Sequence, residues 1–438
     1  MNKRIMIDGR NLNLEKGTGV ATYARNFSYC LRDLNYQVEV LYGNRAAPGQ
    51  TDLMKEIAFF DTNAGDIPKW LQVLRSLNEA VKAPLGYEAT KVPITGTVIL
   101  DTFKSRLPYF DSIYNCPDLF RKAHSLFGFF KKLHKVYMPD KPDLMHWTYP
   151  LPLKIHGIPN IYTLHDLVPL RLPYTTLDNK RRYLRLVKKI VNSADHIVTV
   201  SESAKTDIIN LLGVKPEQIT NTYQSVSIPE KYTNKSLAIV QREVEGTFGL
   251  EYKNYFLFWG SIEPKKNIGR IIEAYLASGV LTPLVIVGAQ AWKSEEELKL
   301  LYDDNIRSLV HVGNETRVKN RVIQLSYAPF PLLVSLIRGA KATVFPSLYE
   351  GFGLPVLESM LLGTPVISST TASIPEVAGD AALLVNPYDT RELSDKIRIM
   401  DNDEGLRNAL VEKGIERAKL FTEDVYKAKL NQVYNKFL

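Results

Sequence analysis

Glu350 and Glu358 stand eight positions apart around Gly351-Phe352-Gly353-Leu354-Pro355, and no other stretch of the chain is better suited to chemistry. Ahead of it, Ala342–Phe345 has the composition of a short buried strand. Behind it, Pro355 suits the first position of a helix, and Gly363 with Pro365 suits its end. The spacing predicts strand, loop and helix. At such a helix start the free N–H groups and the positive end of the dipole favour an anion, while Gly351 and Gly353 let ligand atoms approach the main chain. Glu350, on the loop, can accept hydrogen bonds from sugar hydroxyls. Glu358, expected in the first turn, can accept them from a ribose. Each acid alone has a plainer reading, since one complements a helix dipole and the other is a solvated loop charge. Together around the glycines they look built to hold a phosphorylated sugar.

A cation for such a ligand is available in Gly260-Ser261-Ile262-Glu263-Pro264-Lys265-Lys266-Asn267, which follows an apolar strand, Tyr255–Trp259, and leads into an expected helix from Ile268 to Leu276. A lysine near a helix start opposes the dipole, which argues for a task such as reaching a diphosphate. Lys265 is the neighbour that could substitute for Lys266. In the first half, His165-Asp166 ends the strand Ile161–Leu164, and His146 ends Leu144–His146. Ends of parallel strands are where α/β sheets hold ligands. Gly17-Thr18-Gly19 resembles a dinucleotide fingerprint, but its third glycine would fall at Thr22 and no ribose-binding acid follows, so a nicotinamide site is not expected. Asp303-Asp304 and Asp401-Asn402-Asp403 read as solvated charges beside helices, and no metal site is expected.

With these residues in view, the chain resembles glycosyltransferase family 4, retaining enzymes of the GT-B fold. The resemblance is strongest over Phe256–Asn267 and Ala340–Pro387 and weakest over Gly43–Asp140. It implies two Rossmann-like, doubly wound parallel-sheet domains facing across a cleft. Residues 1–228 would bind the acceptor and 229–420 the nucleotide-sugar donor, with 421–438 forming a helix that crosses back to the first domain. It also implies catalytic roles for Glu350, Lys266 and His165. Donor contacts would come from Gly351, Phe352, Gly353, Leu354, Glu358, Lys265, Ser261, Gly17 and Gly19, and acceptor contacts from His146 and Asp166. Many relatives carry an arginine where this chain has Ser261, so one charge on the leaving diphosphate is missing or supplied elsewhere. Asp8-Gly9-Arg10 and the run Ser261–Asn267 lean toward bacterial mannosyl- and rhamnosyltransferases of surface-polysaccharide assembly, with GDP-mannose the favoured donor. No cofactor and no nucleic-acid partner is expected. Without a convincing covalent nucleophile, front-face displacement is the mechanism such a site suggests. A non-catalytic sugar-nucleotide-binding subunit, a sugar-nucleotide epimerase and a pyridoxal-dependent phosphorylase stay open as alternatives.

The elements that must position these residues are legible from periodicity. At 438 residues and 45% hydrophobic, the chain exceeds one ordinary core and should divide into two. Strand patterns at Arg4–Asp8, Gln37–Leu41, Leu144–His146, Ile161–His165 and His196–Val200 alternate with helical ones. A second series runs through Tyr255–Trp259, Leu284–Val287, Val322–Leu325, Thr343–Phe345 and Val366–Ser368. Such alternation implies parallel sheets. The pattern weakens from Ser225 to Gly246, which is the expected hinge, and Glu423–Leu438 reads as an amphipathic helix. Residues 1–230 hold 30 Lys+Arg against 22 Asp+Glu, so the whole net charge of +8 lies in the first half. That asymmetry favours an anionic partner. Lys180–Lys189 reads as a solvated helix face. Arg121–Lys135, which interleaves Phe127, Phe129 and Phe130 with lysines, suits a membrane surface and a lipid-linked saccharide acceptor. Cys30 and Cys116 form no paired motif, and no apolar run reaches the ~18 residues of a spanning helix. The expected place is the cytoplasm, at the inner face of its membrane.

Overall fold

The computed structural model describes residues 3–12, 19–45, 51–60, 86–99, 107–289, 291, 294–299, 307–312 and 315–438. Short apolar runs such as Ile5-Met6-Ile7 and Leu284–Val287 are buried along their whole length, as strands covered by helices on both faces must be. They form two main sheets. The first runs, edge to edge, Ile219–Asn221, His196–Thr199, Asn160–Thr163, Leu144–Trp147, Arg4–Asp8, Gln37–Tyr42, Ser112–Asn115 and Thr90–Val92. Every neighbouring pair is parallel except the last. The second runs Val322–Leu325, Leu284–Val287, Phe256–Trp259, Ala342–Phe345, Val366–Ser369 and Leu383–Val385, all parallel. In each sheet the opening strand, Arg4–Asp8 or Phe256–Trp259, lies inside with later strands on both sides. Ligands settle at the carboxyl ends of strands around such a reversal.

One core fills the second sheet's surroundings, and the first sheet carries a core on each face. Tyr426, Leu430, Val433 and Tyr434 of the last helix, Glu423–Tyr434, pack with Ile5, Ile7, Phe27 and Val198 of the first half. In the helix Lys180–Val191, Leu186, Val187, Ile190 and Val191 are buried and the basic residues face outward, so that run is the solvated face its pattern suggested.

Several expectations change. The expected hinge, Ser225–Gly246, largely consists of two helices, Glu230–Thr233 and Leu237–Phe248, leaving 222–229 as the stretch without regular structure. Ser236 caps the second helix by accepting from the Ile239 N–H, but only Val240 and Val244 are buried along it, too few to mark a periodic face. The poorly patterned region holds the helices Asp52–Phe60 and Leu119–Phe130. It also contributes Tyr87–Glu88 and His134–Tyr137, which join Leu153–Ile155 in a small three-stranded sheet. Arg307–Val312 and Glu315–Asn320 pair as an antiparallel hairpin. Asp401 is no solvated charge: it pairs with Lys341 at 2.7 Å with both side chains 15% exposed, while Asp403 caps the next helix. Gly17 and Asp303-Asp304 lie outside the described residues. Among the described residues no helix is long and apolar enough to cross a membrane.

Candidate active site

The loop after Ala342–Phe345 and the loop after Phe256–Trp259 meet at the carboxyl end of the second sheet. Asn267 joins them. It takes a left-handed backbone, φ 63°, between the turn Pro264–Lys266 and the helix Ile268–Ser278, and its buried side-chain amide donates to the carbonyls of Pro346 and Pro387 at 3.0 and 2.7 Å. Asparagine is among the few side chains that tolerate this conformation. The Leu348 N–H donates to the Lys265 carbonyl at 2.8 Å. These ties bring the Lys266 ammonium to 2.6 Å from Glu350 Oε1, with the two side chains 13% and 11% exposed.

Burial alone would raise the Glu350 carboxyl, but the charges of Lys266 and Lys265 outweigh it and hold the group below the usual carboxylate range. Glu358 behaves in the opposite way. Burial raises it, and neither the Trp259 indole N–H nor the Lys266 charge compensates fully. Burial likewise works against the Lys265 charge, yet Glu350, Asp166 and Glu263 together push that ammonium above its ordinary value. The two acids of the signature thus share the field of one ammonium. An ammonium offers three N–H donors, so Lys266 can hold Glu350 and a ligand oxygen together.

The loop between the acids is fixed through its carbonyls. Ser373 Oγ donates to the Glu350 carbonyl at 2.8 Å, and Ser201 Oγ, from the first half, donates to that of Gly351 at 2.7 Å. The N–H groups of Gly351 through Leu354 meet no acceptor among the described residues. Gly353, φ 101°, caps the helix Leu354–Leu361 with a backbone that side chains rarely adopt. Backbone donors beside an ammonium are a combination that suits an anion.

Across the loop lies the strand end of the first half. A side chain at Gly351 would come within 3.0 Å of both Asp166 Oδ2 and the His165 carbonyl oxygen. Gly353 is crowded by Ile374 instead. On the side where a Cβ would stand, both glycines therefore face protein atoms. Asp166 Oδ1 accepts from the Val168 N–H, fixing the turn that brings the carboxylate here. His165 is held at both ring nitrogens: Nε2 donates to the Thr148 carbonyl at 3.1 Å and Nδ1 accepts from Gln224 at 3.2 Å. Burial lowers its proton affinity, and Tyr23 packs edge-on against it at 4.6 Å. The ring is a neutral, positioned wall and not a free base.

Three further expectations are corrected. His146 is fully buried and bonded to Tyr434 and Thr163 at 2.7 and 2.8 Å, which removes it from any acceptor. Phe352 is 3% exposed and packs near Tyr223 and Phe421, so it anchors the loop from beneath. Glu358 is the fifth residue of its helix, in the second turn, because Leu354 and not Pro355 begins it. Ser261 is exposed beside the lysine turn, and Gly19 opens the helix Gly19–Asp33, where a Cβ would meet no atom of the described residues within 4 Å. Sequence reasoning missed Trp259, Gln224, Glu263 and Asp8. The last two adjoin motifs that were read, but nothing in their types announced a partner. Asp8 is buried and accepts from the Thr148 N–H and hydroxyl, and burial raises its carboxyl to about 6 against those hydrogen bonds.

The chain is 31% identical over 285 residues to O-antigen chain mannosyltransferase B of Escherichia coli, covering 61% of this chain and 70% of that one. The family model described as glycosyl transferases group 1 matches residues 240–417, and that of glycosyltransferase family 4 matches residues 98–227. The chain belongs to glycosyltransferase family 4. This family 4 glycosyltransferase is also 32% identical over 237 residues to O-antigen chain mannosyltransferase RfbU of Salmonella typhimurium, covering 54% of this chain and 59% of the relative. Its fold matches that of HepE from Anabaena, solved with UDP and glucose, at a TM-score of 0.65 and 13% identity over 99% of this chain and 100% of that one. The two sheets are those of the GT-B fold, and the protein is a hexosyltransferase.

Proposed function

We propose that this glycosyltransferase moves mannose from GDP-mannose to a saccharide acceptor, with retention at the anomeric carbon, in the assembly of a bacterial surface polysaccharide such as O-antigen. The observation that carries the reading is the Lys266–Glu350 pair set beside the unpaired amides of Gly351–Leu354, with Asp166 of the opposite half against the same loop. The amides and ammonium receive the diphosphate, Glu350 a sugar hydroxyl, and Glu358 the ribose. Neither Glu350 nor His165 is free to act as a base: Glu350 is ion-paired and the His165 ring nitrogens are both engaged. The leaving diphosphate then takes the acceptor proton on the face it departs from. The mannosyltransferase names of the two relatives support the sugar, and GDP follows from the sugar.

The acceptor lies on the first half in this reading. Phe129 and Phe130, 81% and 43% exposed at the end of Leu119–Phe130 and followed by exposed Lys131 and Lys132, support peripheral contact with an anionic membrane from the cytoplasmic side. Binding to anionic vesicles should weaken as salt rises, and binding that ignores salt would remove this part. The central test is thermal unfolding with GDP, UDP and dTDP. A nucleotide at a hundred times its Kd adds ~2.7 kcal/mol. We expect GDP to raise Tm most; a chain indifferent to all three has no such donor site.

A further inference from the structure

A second cavity, of about 300 Å³, lies at the carboxyl ends of three neighbouring strands of the first sheet, Arg4–Asp8, Gln37–Tyr42 and Ser112–Asn115. Arg10 and Asn11 follow the first strand, Gly43 and Arg45 the second, and Asp118 with Arg121 the third. Three guanidiniums and an amide share its walls with Phe120 and Asp118. Arg45 and Arg121 both reach Asp118 Oδ1 through Nε, at 2.9 and 3.0 Å, so one carboxylate gathers two guanidiniums, and Arg10 adds a third. Among the described lining residues, three guanidiniums stand beside one carboxylate. Asn11, 9% exposed, points the same way: its amide Nδ2 finds no acceptor among the described residues. A buried N–H without a partner is costly, and a ligand oxygen would remove that cost. The surrounding field agrees, since burial and then the Arg10 and Arg182 charges lower His124 to about 4.

The recess also adjoins the reaction cleft. The Arg10 N–H donates to Asp8, Asp8 accepts from Thr148, and the Thr148 carbonyl holds His165, whose own carbonyl lies against Gly351. We propose that this cavity binds the phosphate or diphosphate group of the acceptor, so that the acceptor saccharide reaches the cleft carrying an anionic handle. Guanidinium forks match phosphate oxygens two at a time, a match that an uncharged sugar does not offer. The proposal rests on the reading that the acceptor lies on the first half, and it names that acceptor's class. A lipid-linked diphosphate and a soluble sugar phosphate share this chemistry.

The test titrates full-length protein by calorimetry with farnesyl diphosphate and, separately, with mannose 1-phosphate, in wild type, Arg45→Ala and Arg10→Ala. We expect at least one probe to bind, and each exposed-arginine substitution to weaken it tenfold or more, with unliganded Tm unchanged. Binding of the prenyl probe alone assigns a lipid-linked source, and binding of mannose 1-phosphate alone a soluble one. If neither probe binds, or if both variants bind as wild type does, the cavity is not a phosphate site. The GDP-induced rise in Tm, measured on the same samples, separates this failure from that of the donor site, because the recess is lined by the first half and the Lys266 loop belongs to the second.

Discussion

Lys266 and Glu350 form the contact on which the site turns, and each is also a liability for the fold. Removing one partner of a buried pair leaves the other charge without compensation, which costs more than the pair contributes. We therefore expect two separable effects from Lys266→Ala: a drop in turnover of about a hundredfold, from ~3 kcal/mol of lost charge stabilisation on the leaving group, and a lower urea midpoint from the stranded Glu350. Adding Glu350→Gln should restore most of the midpoint and none of the turnover, read as release of nucleoside diphosphate from the sugar nucleotide that raises Tm. Full turnover in the purified single variant would remove Lys266 from the chemistry. At this scale the sequence was informative where residue type carries charge. The Glu350, Glu358 and Lys266 cluster was legible, because two acids and a lysine around a glycine-rich turn have few other reasons to coincide. His146 and Phe352 were not. A histidine at a strand end or a phenylalanine between glycines gives no sign of which way its side chain points, and both point into the core.

Elements explain why the loop needs its glycines. Gly353 answers to backbone conformation, since φ 101° is strained for any side chain, and Gly351 answers to the opposite half of the molecule. A methyl group at Gly351 meets a backbone oxygen of His165, which cannot swing aside, along with Asp166. Gly351→Ala should thus push the Glu350 loop away from the strand end Asn160–Thr163. Turnover should fall at least tenfold while GDP still raises Tm, because the Lys266 turn lies in the same half as the loop. An alanine variant with full activity would show that the two halves need not approach as closely as they do here. The strands directly before these loops, Asn160–Thr163, Phe256–Trp259 and Ala342–Phe345, were readable as short runs between turn residues, whereas Ser112–Asn115 inside the first sheet was not. Short edge strands such as Ile219–Asn221 and Leu383–Val385 were not, since three residues carry no period. Leu237–Phe248 was missed for the related reason that two buried positions make no stripe.

Contacts between the halves run along the whole cleft. Glu376 accepts the N–H groups of Glu202 and Ser203 at 2.7 and 3.2 Å, Tyr349 donates to Asp207 at 2.6 Å, and the last helix returns to seal the first sheet through Tyr434 and His146. Such burial of titratable groups gives the molecule a pH signature. His124, His146 and His196 are lowered to about 4, 3 and 4, each chiefly by burial, with Arg10 and Arg182 adding to the first, His165 and His196 to the second, and Lys436 to the third. A histidine whose folded value lies below its unfolded ~6.5 contributes stability that is present above pH 6.5 and lost as pH falls toward the folded value. Each should cost ~1.4 kcal/mol by pH 5.5. Asp8 acts in reverse, because its carboxyl, raised by burial to about 6, destabilises the fold once ionised and ceases to do so on protonation. It should return somewhat under ~1 kcal/mol over the same interval, so these four groups together give a loss of about 3 kcal/mol between pH 7.5 and 5.5. Urea titrations across that range measure it, and His146→Asn should reduce that loss by nearly half whatever it does to the midpoint. A stability flat from pH 7.5 to 5.5 would mean that these rings reach solvent, and with His146 in solvent the last helix could not be docked on the first sheet as described.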